Sequence, residues 1–432
     1  MLYKHKEDKV KKFFFVLIGL TLICRADWLQ FQGDVANTGV SQDSVVVSNL
    51  LWQDSLAPLD FFSGPVTSND MIFVPTLKGF YCLDVNNGDS LWYQSGSFSS
   101  VPAIISDRVV VVQAETLQCF TLDGDLLWSL GFPVRPSHPT VINGIIYLTA
   151  GRHVYAIDSS GASRWITPEL RYGFTPNMAP CCNDTFVIVA TKRGLLTLDP
   201  ASVVYVLSSY DGRVLSSHDY GYGFVENGCL STPTLFNNRL YFTTYHSTLF
   251  PGYGRSVQLP ENTQRWQVRN IPNYYTSSVA IGDRVFFSGE GLWAYDSSGI
   301  RIWTANIGRV SYSSPLISTG MIWLGNDSGE LFGVDAISGL IRQRFQCGNT
   351  PLTSPATTSG GNLIIADISG KVYSFGYVVV VEEPKIGTPA SQLRSGIYYD
   401  ITGRRLIQAP PTRKGIYFYV DESGSRKKII LH

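Results

Sequence analysis

Short apolar runs, each closed by a turn bearing Gly or Asn, recur along most of this chain. The unit is plain in TVINGIIYLTAGRHVYAIDSSGASRW, residues 140–165. Two alternating runs hinge at Asn143-Gly144, a residue pair that favours a type I′ hairpin. A third run, HVYAID, follows directly. A fourth, ASRW, lies beyond SSG, whose turn requires a positive φ at Gly161. A period of two with turns this close predicts four short antiparallel strands.

The unit repeats. A Pro that follows one or two small residues opens it at Pro65, Pro102, Pro139, Pro180, Pro233, Pro315 and Pro355, and Val279 of SSVAIGDRVFF fills the gap. These eight starts lie 36 to 53 residues apart, the length of a four-stranded propeller blade. Five units end on a Trp four residues after a turn Gly or, before Trp266, an Asn: Trp92, Trp128, Trp165, Trp266 and Trp303. Two more place Ser216 and Gln343 in that position. The eighth such residue, Trp52 of SNLLWQDS, precedes every start. A ring of blades that stayed open would expose two sheet edges. The expectation is therefore an all-β, eight-bladed propeller in which Leu50–Asp54 closes the unit ending near Tyr377. Tyr377–Glu383 (YVVVVEE) is the competing candidate for that strand. Each Trp is expected to dock between neighbouring blades.

The ends of the chain read differently. A basic stretch, MLYKHKEDKVKK, precedes an apolar run from Phe13 to Ile23 that is short for a membrane span. Small residues then place a cut between Ala26 and Asp27. A lipid on Cys24 is disfavoured by Ile23 before it. Residues 1–26 read as a signal peptide, 27–377 as the propeller, 378–392 as a Pro-containing linker, and 393–432 as a small β tail. Export would put the six remaining cysteines in an oxidising compartment, where their pairing is open among 15 arrangements.

Composition removes several function classes. Lys plus Arg and Asp plus Glu number 34 each, so no basic excess suits a nucleic-acid backbone. The six histidines, His5, His138, His153, His218, His246 and His432, show no metal-ligand spacing. No Gly-x-Ser-x-Gly elbow is present. Neither a metal nor a cofactor is expected.

The Ser-x-Pro starts and Asp-x-x-Gly-x-x-x-Trp ends resemble PQQ-like repeats. Those repeats build quinoprotein dehydrogenases and also non-enzymatic propellers such as the outer-membrane assembly factor BamB. DWLQFQGDVANTGVS, residues 27–41, resembles the lead-in of secreted members. In the alcohol-oxidising quinoproteins an adjacent cysteine pair forms a ring disulfide against the cofactor, and Cys181-Cys182 would be its counterpart. Repeat alignment instead puts both at the start of an inner strand. The tail motifs YDITGRRL, KGIYFYV and RKKIILH resemble type IX secretion sorting domains, which implies export to the surface.

Aromatics crowd the connections between blades. Phe98, Arg135, Tyr172, Phe174, Tyr222, Phe224, Tyr274, Tyr275 and Tyr312 are expected to ring one channel mouth and bind a partner there. An insertion, Tyr245–Arg265, is expected to leave the ring as an excursion. The reading is a non-enzymatic propeller at the bacterial cell surface binding a protein or glycan. A periplasmic BamB-like scaffold and a PQQ-dependent dehydrogenase are the alternatives.

Overall fold

The computed structural model describes residues 27–192, 202–220, 228–244, 252–273, 275–377, 397–400, 415–420 and 426–431. Among them are eight four-stranded antiparallel sheets and one three-stranded sheet, with no helix. The eight sheets are the blades, numbered here from the first that opens with a Pro: 66–95, 103–131, 140–166, 181–220, 234–269, 279–305, 316–346, and 356–376 joined by 49–55.

Blade 3 shows how sequence makes the unit. Thr140–Ile142, Ile145–Ala150, His153–Asp158 and Ser163–Ile166 pair in order. Asn143 and Gly144 carry φ of 51° and 74°, as a type I′ turn demands. Gly161 carries φ 85°. The inner and middle strands have no exposed residue, and the outer strand is exposed but for the half-buried Trp165, because only that strand faces solvent along its length.

The ring closes as the displaced Trp52 implied. Asn49–Ser55 runs antiparallel to Lys371–Gly376, from Asn49 opposite Gly376 to Ser55 opposite Lys371. The competing stretch lies outside the described residues from 378 onward. One other expectation changes. Tyr253–Gln258 and Thr263–Arg269 are the third and fourth strands of blade 5, so the insertion does not run to Arg265. The tail strands Ile397–Asp400, Gly415–Val420 and Arg426–Leu431 form the three-stranded sheet, in a meander.

The core is a set of seams between blades. Ile105, Val110, Val112 and Cys119 of blade 2 pack against Ile146, Leu148 and Ile157 of blade 3. At the outer end of most seams sits a Trp. Each Nε1–H donates to a carbonyl in the next blade: Trp52 to Val85 at 2.9 Å, Trp92 to Leu122 at 2.7 Å, Trp128 to Ser159 at 3.0 Å, Trp165 to Ser209 at 3.0 Å, Trp266 to Ser297 at 3.0 Å and Trp303 to Ala336 at 3.3 Å. Ser216 keeps a version of the contact, its Oγ donating to Pro260 O at 3.1 Å. Gln343 leaves its Oε1 buried without a hydrogen-bond partner.

Candidate functional site

The short inner strand of every blade has one edge paired within the sheet and one edge facing the channel. The channel-facing amides need acceptors, since a buried unpaired amide costs about 1–3 kcal/mol. The lead-in segment supplies them blade after blade. Thr67 N donates to Trp28 O at 3.0 Å, Ile104 N to Leu29 O at 2.7 Å, and Val141 N to Gln30 Oε1 at 2.7 Å. Cys182 N donates to Val35 O at 2.6 Å, Leu235 N to Ala36 O at 2.8 Å, Ala280 N to Thr38 O at 3.4 Å, and Ile317 N to Gly39 O at 2.7 Å. Ser41 Oγ then meets Thr357 Oγ1 at 2.9 Å in blade 8. Residues 28–41 therefore circle the channel and touch all eight blades in order.

Two residues shape this ring. Asn37 Nδ2 bridges Pro180 O and Pro233 O at 3.2 and 3.3 Å. Gly39 has φ 68°, and a Cβ there would stand 2.3 Å from Val279 Cγ1. No larger residue fits between the ring and blade 6.

The opposite mouth is crossed by residues 58–63, part of the link from the closing strand to blade 1. Asp60 Oδ2 pairs with Arg135 Nη1 at 3.4 Å, and Arg135 Nη2 donates to Ser99 O. Phe61 lies 4.8 Å from Tyr312, and Phe62 lies 5.1 Å from Tyr275 (centroid distances). Tyr275 and Tyr312 stack at 5.9 Å and 6°. Four connections between blades thus meet here, and Phe61 stays 46% exposed. Beside Arg135, His138 is fully buried. Its Nδ1 accepts from Val101 N at 3.1 Å and its ring stacks on Phe31 of the lead-in. Burial, reinforced by the Arg135 charge, pushes its pKa down to about 3.

The expected aromatic rim is only partly assembled. Tyr275 and Tyr312 come together with Phe61 and Phe62, which the connection pattern did not single out, and Arg135 holds the neighbouring Asp60. Phe98 is not at the mouth. It is fully buried between Phe80 and Phe120, because its backbone bridges to Gln113 and turns the ring inward. Tyr172 and Phe174 pack on the seam between blades 3 and 4, and Arg171 covers the Tyr172 ring at 5.1 Å. Tyr222, Phe224, Tyr274 and Ala26 lie outside the described residues.

The cysteine pair stands at the start of the inner strand of blade 4, where repeat alignment puts it. Cys181 and Cys182 are free thiols at adjacent positions of a strand, so their side chains leave on opposite faces. Cys181 joins the core toward blade 5 and Cys182 the core toward blade 3. No vicinal disulfide forms from that geometry. Burial pushes both thiols well above their ordinary range.

Sheet topology, register and the circling lead-in define an eight-bladed repeat propeller with a chain-filled axis. A family model described as "Outer membrane protein assembly factor BamB" matches residues 45–168 and 81–305, together more than half of the chain. The chain belongs to that family. It is 23% identical over 348 residues to the outer membrane protein assembly factor BamB of Moranella endobia (strain PCIT), covering 73% of this chain and 86% of that one. Among solved structures, BamB from Moraxella catarrhalis superposes with TM-score 0.57 at 13% identity, over 78% of this chain and 99% of that chain. A europium-containing methanol dehydrogenase superposes with TM-score 0.61 at 10% identity, over 82% and 98%. These two show a shared fold.

The lead-in fills the channel at the inner strands. Among the described residues, no group of three or more His, Cys, Asp or Glu could hold a metal ion.

Proposed function

We propose that this protein is a non-catalytic, protein-binding propeller of the bacterial cell envelope. The observation that carries the reading is the channel itself. Residues 28–41 occupy it at the inner strands and residues 58–63 cross its other mouth. Recognition is then left to outward surfaces, and the Phe61–Phe62–Tyr275–Tyr312 cluster has the aromatic character of a binding hot spot. Its relatives named as assembly factors support a protein partner at the outer membrane.

A photo-crosslinking residue at Phe61 tests this in cells. One at Tyr210, 92% exposed on a distant turn, serves as the control. A discrete protein adduct at position 61 and none at 210 is the expected result. Equal labelling at both positions would overturn it.

A second reading, export to the cell surface, is supported by the tail motifs and their three-stranded sheet. The intact mass in each cell fraction separates the two. A surface form cut between 382 and 392 supports export, and a periplasmic form ending at His432 supports the scaffold.

A further inference from the structure

The lead-in and the residues just after it line a small, partly open cavity of about 90 Å³, with Asp27, Trp28, Asp34, Ser41 and Asp43 in its wall. Its wall carries three carboxyl groups and no Lys or Arg. Two of the three are satisfied within the fold. Asp34 accepts from the amides of Ala36 and Thr38, each at 3.0 Å, and from the Thr38 hydroxyl. Asp27 Oδ2 accepts from Asn69 N at 3.0 Å. Asp43 differs: its Oδ2 is buried with no hydrogen-bond partner. Burial, and then the charge of Asp27, push this carboxyl up to about 6. An ionised oxygen held away from water beside a like charge is costly unless a cation meets it.

The chain can supply that cation itself. Asp27, on the same cavity wall, is the residue that the leader reading places first in the processed protein. Hydrolysis of the Ala26–Asp27 peptide bond would give the hydroxyl of water to Ala26 and leave a protonated amine on Asp27. We propose that this α-ammonium pairs with Asp43 and locks the lead-in ring, so that removal of the leader completes the propeller. The inference rests on the cut before Asp27. It needs no outside ligand, and it accounts for an acidic cavity that no other described cation lines. Before cleavage the same nitrogen is a neutral amide and offers one donor. After cleavage it offers three donors and a charge.

The test does not depend on natural processing. The protein is released from a fusion so that it begins at Asp27, and a second form begins Ala26-Asp27. Each is also made with Asp43→Asn. The form beginning at Asp27 should melt about 1–4 °C above the extended one, and this gap should vanish in the Asp43→Asn pair. Acylation of the α-amine, read by mass spectrometry, should be about tenfold slower for Asp27 facing Asp43 than for the extended form or for Asp43→Asn, the effect of one unit in amine pKa. Equal acylation rates across the set would overturn the proposal, as would a melting gap that survives Asp43→Asn. The intact mass of the native protein tests the cut itself, so the two failures are distinguishable.

Discussion

Trp128 reaches across a seam to Ser159, and its ring lies where a side chain on Gly161 would have to go. The hydrogen bond is 3.0 Å, and a Cβ on Gly161 would stand 2.9 Å from the indole. The same pairing recurs between Trp92 and Gly124, Trp165 and Gly212, and Trp266 and Gly299. The turn glycine of one blade is thus the seat for the Trp of the blade before it.

Removing either partner should loosen one seam. The indole is half-buried, so Trp128→Ala should cost about 2–4 kcal/mol, at the lower end of what a large aromatic truncation does. Gly161→Ala should cost about 1–3 kcal/mol through φ 85° and the clash. In the double variant the losses should overlap, because the clash disappears with the indole. Chemical denaturation of the three variants measures this, and strict additivity would refute the seat.

The lead-in ring predicts a large effect from a polar side chain that never touches solvent. Asn37→Ala leaves the Pro180 and Pro233 carbonyls without their bridge and should cost about 2–3 kcal/mol. Thermal unfolding reads the loss. A variant as stable as the parent would show that the ring is held by backbone alone.

His138 should make the protein acid-labile. Its folded pKa is about 3, below the ordinary 6.5. Between those values the unfolded chain binds more protons than the folded one, so stability falls as pH drops from about 6.5 toward 3. Burial imposes this, with Arg135 adding to it. His138→Asn keeps an acceptor for Val101 N and cannot take up the proton. Melting temperatures between pH 7 and pH 5 should decline less steeply in the variant, and an unchanged slope would assign the acid sensitivity elsewhere.

Phe61→Ser should abolish the crosslinking partner's binding while leaving the melting temperature within about 2 °C, since an exposed ring contributes little to folding. Phe62→Ser should weaken both, because Phe62 packs against Tyr275 and Tyr312. Binding that survives Phe61→Ser would move the partner away from this mouth.

The blades were legible because their signals are local. Pro65 and its counterparts stand one residue before seven of the eight inner strands, and a Trp marks six of the eight outer ones. Trp52, out of order in the sequence, announced the closing strand. The ring of residues 28–41 was not legible. It binds through main-chain carbonyls, which every residue has, so DWLQFQGDVANTGVS carries no alternation to read. Its side-chain contacts, from Gln30, Phe31, Asn37 and Ser41, follow no period. Phe98 was misplaced for a related reason: composition shows that a connection is aromatic but not which way each ring turns. The meeting of Phe61 with Tyr312 spans 251 positions along the chain, and no spacing rule reaches that far.

The order of synthesis gives the circling lead-in a last consequence. The residues that join all eight inner strands are among the first to be made, yet they can find their final partners only when blade 8 exists. Contacts of such long sequence separation slow folding and leave early blades without their inner cover. A nascent chain stopped after four or five blades should therefore be a client for chaperones, and the propeller should reach its native state as one late event.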